Sequence, residues 1–387
     1  MKTFGAHLQE AVDDKKYKLV ILSHDDPHDP NETWILIRDK AQALGLKVLL
    51  AEFVGTYTKK TPDGKRFIHS FGLDKEGKVI MPSAKNKNVE YAKPFEIDPS
   101  DTLIMARGIG TSAKSGNRSW GDMCKVFEYE GYTVINSTEC HNICNDKWMN
   151  NLIFKRENFN TPKTVRINHP EGAKWALGEL NADFPLILKT AAGSRGIGVM
   201  WIESEKALHG LVQLLYREDE YIDILIQEYI KTDYDVRAIV CAGKILGAIK
   251  RPIVDGDFRS NVSQGSEPEL HELTEIEASE SIRAADAVGG LLTGVDFIPA
   301  KNREKDKPYF IEVNSTPGLM GIESTLSGAA AKPLGKKLKK EGTSITTEIL
   351  KRFFDRKHWK SATELSTYIS QVADAEVRTF GGWARKK

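Results

Sequence analysis

Short apolar runs alternate with polar, glycine-bearing stretches from Lys18 to Asn314, and their lengths and spacings separate strands from helices. "KLVILS" (18–23) has the length of a strand. Trp34, Ile37, Ala41 and Leu44 then recur at helical spacing, and "LKVLLAEF" (46–53) is a second strand. That strand–helix–strand order opens a parallel sheet. "DTLIMARGIGTS" (101–112) begins with a further strand and "YTVINS" (132–137) adds another, after which Ser137 is placed to cap a helix running through Lys147. Residues 55–100, rich in Lys, Gly and Asp, carry turn signals at Pro62-Asp63-Gly64 and Lys75-Glu76-Gly77, the mark of a hairpin-bearing excursion.

From 161 onward the pattern changes. "PLILKT" (185–190) and "VMWIE" (199–203) are strands joined by the glycine loop "AAGSRGIG" (191–198), "EKALHGLVQLLY" (205–216) is an amphipathic helix and "DILIQEYI" (223–230) a strand. "DVRAIVCAGKILGAIKR" (235–251) reads as a hairpin turning at Ala242-Gly243-Lys244, and Thr274-x-x-Glu277 is a capping box opening a helix that ends near Gly290. "TGVDFIP" (293–299) and "YFIEVN" (309–314) are strands joined by the hydrophilic "AKNREKDK" (300–307) as an antiparallel hairpin. The tail, 331–387, carries "KKLKK" (336–340) and a helix, and deletion of 336–387 is expected to leave ATP turnover largely intact while altering acceptor preference or oligomeric state.

The last strand carries the chemistry. Strict alternation puts Glu312 and Asn314 on one face together with Phe310, with Ile311 and Val313 on the other. Pro317-Gly318 turns the chain away beyond them. Asp296, on the partner strand of the hairpin, brings a third hard oxygen donor to the same place. Such a donor set, without sulfur or a histidine pair, suits magnesium or manganese bridging to phosphates. The Gly193-Ser194-Arg195-Gly196-Ile197-Gly198 loop joins two strands, so it is no Walker loop. Its glycines let backbone N–H groups approach phosphate oxygens and Arg195 adds charge, although taken alone the loop is better explained as a plain glycine-rich hairpin turn. Lys189, ending an otherwise apolar strand, needs an anionic partner.

Composition narrows the field. In 387 residues, 55 Lys+Arg against 54 Asp+Glu leave a net charge of +1, so no global field attracts nucleic acid or an anionic membrane. No apolar run approaches the length of about 18 residues that spans a bilayer, and Met1 to Lys16 lacks the apolar core of a signal peptide. Cys124, Cys140, Cys144 and Cys241 are too scattered for a disulfide framework. A cytoplasmic protein is expected. Cys140-His141-x-x-Cys144 resembles half of a zinc site, but with no second ligand pair following, it reads as packing on a helix face. "HDDPHDP" (24–30), "KKLKK" and His209 read as solvated surface.

Taken together, "LILKTAAGSRGIGV", "ILIQEYI", "DVRAIV", "GDFRSNVSQG", "GVDFI" and "IEVNSTPGLMGIE", in that order over 185–323, resemble the ATP-grasp carboxylate–amine ligases, in the branch typified by the ribosomal-protein glutamate ligase RimK. The resemblance implies an α/β (α+β ATP-grasp) fold: an N-terminal parallel-sheet domain (1–137, with the 55–100 excursion), a lid subdomain (138–226), a metal-binding subdomain (227–330) that clasps ATP with it, and a basic extension (331–387). It implies that Lys147 and Lys189 contact ATP phosphates under the loop Gly193, Ser194, Arg195, Gly196 and Gly198. Gln227, Glu228, Tyr229 and Ile230 would form the adenine hinge, and Asp235 would hold the ribose. Arg259, Ser260 and Asn261 would line the phosphate and reacting-carboxylate region, with Arg259 and Asn261 catalytic. Asp296, Glu312 and Asn314 would bind two magnesium or manganese ions. The implied partners are a carboxylate substrate and an amine acceptor, an amino acid, peptide or protein terminus; assembly as a homo-oligomer stays open. A glutathione-synthetase-like or dipeptide-forming ligase is the alternative, followed by a non-ligating kinase or a regulatory ATP-binding protein.

Overall fold

In the computed structural model, which describes residues 17–23, 32–52, 56–70, 94–107, 119–191, 198–253, 267–327 and 344–354, the first strand is the centre of the first sheet. β1 (Lys18–Ser23) pairs in parallel with β2 (Lys47–Glu52) on one side and β6 (Thr102–Ala106) on the other, which is why Leu19 to Leu22 are all buried. β7 (Thr133–Ile135) completes the order β2-β1-β6-β7. Parallel neighbours require crossovers, supplied by the expected helix Glu32–Ala43 and by an unforeseen one, Ser119–Tyr129, which buries Cys124 and Phe127. The excursion is a small antiparallel sheet of β3 (Thr56–Lys60), β4 (Arg66–Ser70) and β5 (Phe95–Ile97), turning with Gly64 at φ 89°. The second turn signal, Lys75-Glu76-Gly77, lies outside the described residues.

Two further sheets follow. β8 (Thr164–Ile167), β9 (Leu186–Thr190), β10 (Val199–Ile202) and β11 (Ile224–Glu228) are ordered β10-β9-β11-β8, with the helices Gly172–Leu180 and Glu205–Glu218 packed through Ala173, Ala176, Leu208 and Val212 onto Leu186 and Leu188. β12 (Tyr234–Cys241), β13 (Lys244–Pro252), β14 (Glu269–Leu270), β15 (Leu292–Ile298) and β16 (Tyr309–Asn314) are antiparallel in the order β14-β13-β12-β15-β16. The β12–β13 turn places Ala242 at φ 46° and Gly243 at φ 70°, and Thr274 with Glu277 forms the capping box of the helix Glu275–Ala287. None of the described helices is long and apolar enough to cross a membrane.

Three local expectations are corrected. The helix capped by Ser137 does not run through Lys147. It ends at Asn145, and Asp146 starts a second helix, Lys147–Arg156, by accepting from the backbone N–H groups of Trp148 and Met149. Phe310 does not share the face of Glu312 and Asn314. Asp296 lies opposite Glu312, but Phe297 lies opposite Phe310, so Ile311 is an extra residue on β16. This bulge returns Phe310 to the core beside Val313 while Glu312 stays on the other face. The tail is not all appendage. Its helix Ile345–Phe354 buries Ile345, Ile349, Leu350 and Phe353 in the cluster that joins Trp34 and Ile37 of the first sheet's helix to Ile239 and Ile249 of the last sheet. Arg352 ties it down by donating to the carbonyls of Cys241 and Ala242 at 2.7 and 2.5 Å.

Candidate active site

The last sheet carries a row of charges along its register. Arg237 on β12 lies opposite Asp296 on β15, and Asp296 lies opposite Glu312 on β16; Asp235 lies opposite Arg251 on β13. The side chains pair accordingly. Arg237 donates Nε and Nη2 to the two oxygens of Asp296 at 2.7 and 2.6 Å. Arg251 clamps both oxygens of Asp235 at 2.6 Å and reaches Asp296 Oδ2 at 2.9 Å. Burial acts to raise the Asp296 carboxyl, but the guanidiniums of Arg237 and Arg251 overcome it and hold the group below the usual carboxylate range. The two arginines are the residues that sequence reasoning missed. Their signal was present: Asp235 and Arg237 alternate onto one face of the same strand.

Asn314 closes the row. Its Nδ2 donates to Glu312 Oε1 at 3.0 Å and faces Asp296 Oδ2 at 3.5 Å, so the three expected metal-binding groups converge within hydrogen-bond reach. The described residues contain no group of three His, Cys, Asp or Glu side chains able to hold a metal. Two carboxylates and a carboxamide nonetheless make an all-oxygen donor set once the Asn314 amide rotates to present Oδ1, and this fits magnesium or manganese. Behind the row, Asn136 and His141 hold the turn that follows Asn314. Asn136 donates to Ser315 O and Leu292 O and accepts from the N–H groups of Leu291 and Leu292. His141 Nδ1 lies 2.7 Å from Ser315 Oγ, and Arg107 donates to Pro317 O at 2.6 Å. Burial, assisted by the nearby charge of Arg107, pushes the His141 imidazole down to about 3, so it is neutral. The Cys140-His141-x-x-Cys144 segment is thus packing, with the two thiols in a long hydrogen bond at 3.9 Å and no disulfide between them.

Two ammonium groups lie near enough to the row for the charge of Glu312 to act on them. Lys189 on β9 is half-buried. Desolvation lowers its ammonium to about 8, with Glu312 drawing it upward and Lys147 pushing it down. Lys147, the first residue of its helix, is likewise lowered by burial against the attraction of Glu312 and Asp146. Lys189 Nζ donates to Gln227 Oε1 at 2.7 Å, Gln227 Nε2 donates to Thr164 Oγ1 at 2.7 Å, and that hydroxyl donates to Pro162 O at 2.9 Å. The donors all run one way, which fixes the amide orientation of Gln227 and the position of Lys189. Gln227, expected in the hinge, therefore commits its side chain to the lysine. Glu228 Oε1 accepts from Lys163 N at 2.7 Å, and the Tyr229 ring stands edge-on to Trp201 at 4.7 Å. Tyr229 and Ile230 lie in the linker between β11 and β12, the connection between the two sheets. Gly198 sits at φ 78°, where a Cβ would meet Thr190 Oγ1 at 2.8 Å, so only glycine fits. Gly193, Ser194, Arg195, Gly196, Arg259, Ser260 and Asn261 lie outside the described residues.

Comparison with known proteins bears on the family and the fold. The model of the RimK-like ATP-grasp domain matches residues 144–338. A protein of Marinomonas sp. (strain MWYL1) named probable alpha-L-glutamate ligase is 32% identical over 272 residues, covering 69% of this chain and 85% of that one. Another of the same name from Vibrio vulnificus (strain YJ016) is 31% identical over 243 residues, 62% of this chain and 76% of that one. Among solved structures, the macrocyclase MdnC of Microcystis aeruginosa bound with precursor peptide MdnA superposes with a TM-score of 0.57 at 14% identity, over 86% of this chain and 99% of that one. The D-alanine–D-alanine ligase of Bacillus anthracis superposes with a TM-score of 0.53 at 16% identity, over 93% of this chain and 99% of that one. These last two establish the fold. With the family match and the sequence relatives beside it, the chain belongs to the RimK-like ATP-grasp family and is an ATP-dependent, ADP-forming ligase that joins a carboxylate to an amine.

Proposed function

We propose that this ligase adds glutamate, or an amino acid like it, to a peptide, protein or small-molecule acceptor, with ATP held between Lys147 and Lys189 on one side and the Asp296–Glu312–Asn314 row on the other. The observation that carries the reading is that two half-buried ammonium groups lie close enough to the carboxylate row for the charge of Glu312 to act on both. The curated relatives' names support glutamate as the amino acid. The four free thiols support a reducing, cytoplasmic setting.

A carboxylate is a poor acyl donor because its oxygen is a bad leaving group. In the reaction its oxygen attacks the γ-phosphorus of ATP, the bond to ADP breaks, and the acyl phosphate is then attacked by the amine with loss of phosphate and a proton. Magnesium, two ions on this reading, would supply charge neutralisation on the phosphates when held by Asp296, Glu312 and Asn314. Lys189, positioned by Gln227, and Lys147 place fixed positive charge where negative charge gathers. Glu228, Tyr229 and Ile230 would contact adenine in the inter-sheet linker. Asp235 would share its carboxylate between Arg251 and the ribose. The loop 193–198 would exclude water from the acyl phosphate, and Arg259, Ser260 and Asn261 would meet the transferring phosphate and reacting carboxylate. The test is a screen of amino acids with peptide and small-molecule acceptors, reading ADP release alongside product mass. The proposal expects a product equal in mass to amino acid plus acceptor minus water, with glutamate the best donor of the set. ADP release with no amide product across the whole panel would contradict it and favour a kinase.

A further inference from the structure

Asp296 is asked to do two things with the same oxygen atoms. As a metal ligand it must turn a lone pair toward a cation at about 2.1 Å. Yet Oδ1 accepts from Arg237 Nε, and Oδ2 accepts from both Arg237 Nη2 and Arg251 Nη2 with the Asn314 amide nearby. A carboxylate has about four lone-pair sites, and the guanidinium of Arg237 takes the two between its oxygens while Arg251 takes another on Oδ2, so an ion that binds on the Arg237 side must displace it. On that side the ion and Arg237 compete for the same oxygens.

The two arginines are not equally able to leave. Arg251 has only 4% of its side chain exposed and is held by both oxygens of Asp235 as well as by Asp296. Arg237 keeps 20% of its side chain exposed, and among the described residues its hydrogen bonds go to Asp296 alone. The local charge balance points the same way. Among the described residues, Asp146, Asp235, Asp296 and Glu312 already balance Arg237, Arg251, Lys147 and Lys189, so a divalent ion adds positive charge where the described carboxylates are in no surplus. The repulsion is relieved if the most mobile cation moves to an incoming anion. We infer that Arg237 is an exchangeable counter-ion: a divalent cation displaces it from Asp296, and the freed guanidinium is delivered to the anionic oxygens of the reacting carboxylate and transferring phosphoryl group. Metal arrival and the arming of a catalytic arginine are then one event.

This inference rests on the metal assignment proposed above, and the experiment separates the two. Binding of Mn2+ alone to the full chain is followed by the electron paramagnetic resonance of the free ion, for the parent and for Arg237→Gln, Arg237→Lys and Asp296→Asn, with a thermal melt of each. Removing a competing unit charge in contact with the ligand should tighten Mn2+ binding about tenfold in Arg237→Gln, with Arg237→Lys intermediate, while turnover falls about a hundredfold. A merely structural arginine would lower the melting temperature and weaken the ion, or leave it unchanged. Loss of Mn2+ binding in Asp296→Asn with no tightening in Arg237→Gln overturns the exchange and leaves the metal site standing; Mn2+ binding retained at parental affinity in Asp296→Asn overturns the metal site itself. The parent chain gives an independent reading: the Arg237 Nε–H signal, protected from solvent exchange by Asp296, should lose its protection on addition of Mg2+, and protection that persists at saturating metal contradicts the inference.

Discussion

Replacing Asn136 by alanine removes one side chain from the first sheet's last connection, yet its effect should be felt at the far end of the molecule's catalytic strand. Asn136 is 1% exposed. It donates to Leu292 O at 2.7 Å and Ser315 O at 2.6 Å, and accepts from Leu291 N at 2.7 Å and Leu292 N at 2.9 Å. At a net value of about 1 kcal/mol for each of these hydrogen bonds the loss is about 4 kcal/mol, and the desolvated backbone groups left behind push it no lower. Urea denaturation of Asn136→Ala and parent gives the difference directly. Asn136→Asp keeps an acceptor but loses both donors and buries a charge, so it should be at least as damaging. Because Ser315 directly follows Asn314, the folded fraction of Asn136→Ala should also need more magnesium for half-maximal turnover. A loss below about 1 kcal/mol with parental magnesium dependence would show that these short contacts hold nothing together.

Nucleotide binding should take up protons above neutral pH. With the ammonium of Lys189 lowered to about 8 in the free protein and held charged by phosphate in the complex, binding at pH 8.5 should absorb about three-quarters of a proton, measured by calorimetry in buffers of different ionisation heat, and Lys189→Met should abolish most of that uptake. The same depression means that the unfolded chain, with an ordinary lysine, binds more protons than the folded one between about pH 8 and 10.4, so the Lys189 contribution to stability rises with pH across that window. Phe353→Ala, in the helix of the C-terminal segment, should cost about 3 to 5 kcal/mol in a urea melt, and a neutral result would return that helix to the status of an appendage. Glu312→Gln should fold normally while its rate falls about a hundredfold and its magnesium dependence flattens; parental kinetics would remove the carboxylate from the metal site.

Much of this arrangement is legible in the chain because strands carry period-two and burial information that is local. The runs around Val20 and Leu188, the Thr274–Glu277 capping box and the Ala242-Gly243 turn each depend on a few adjacent residues, and each appears where the pattern puts it. What escaped depends on non-local geometry. The bulge at Ile311 comes from pairing with β15, so no alternation within β16 alone could reveal that Phe310 faces the core. The break at Asp146 turns on whether a carboxylate caps a new helix or lies on the surface of an old one, and both are compatible with the same residues. The pairing of Asp296 with Arg237 requires the β12–β15 register, which joins residues 59 positions apart. The helix around Leu350 was expected in the tail, but its docking on Trp34 and Ile249 depends on elements far away in sequence and could not be read from its own residues.

The central claim, that the ends of β15 and β16 hold the divalent ion of an ATP-dependent ligase, is tested most directly by diffraction from the full chain with Mn2+ and a non-hydrolysable ATP analogue, using the anomalous signal of manganese. The account predicts an anomalous peak bonded to Asp296, Glu312 and Asn314 Oδ1 at about 2.0 to 2.2 Å, with the phosphates on its other side and the ammonium groups of Lys147 and Lys189 turned toward them. Manganese bound to the phosphates without any of these three side chains would contradict it.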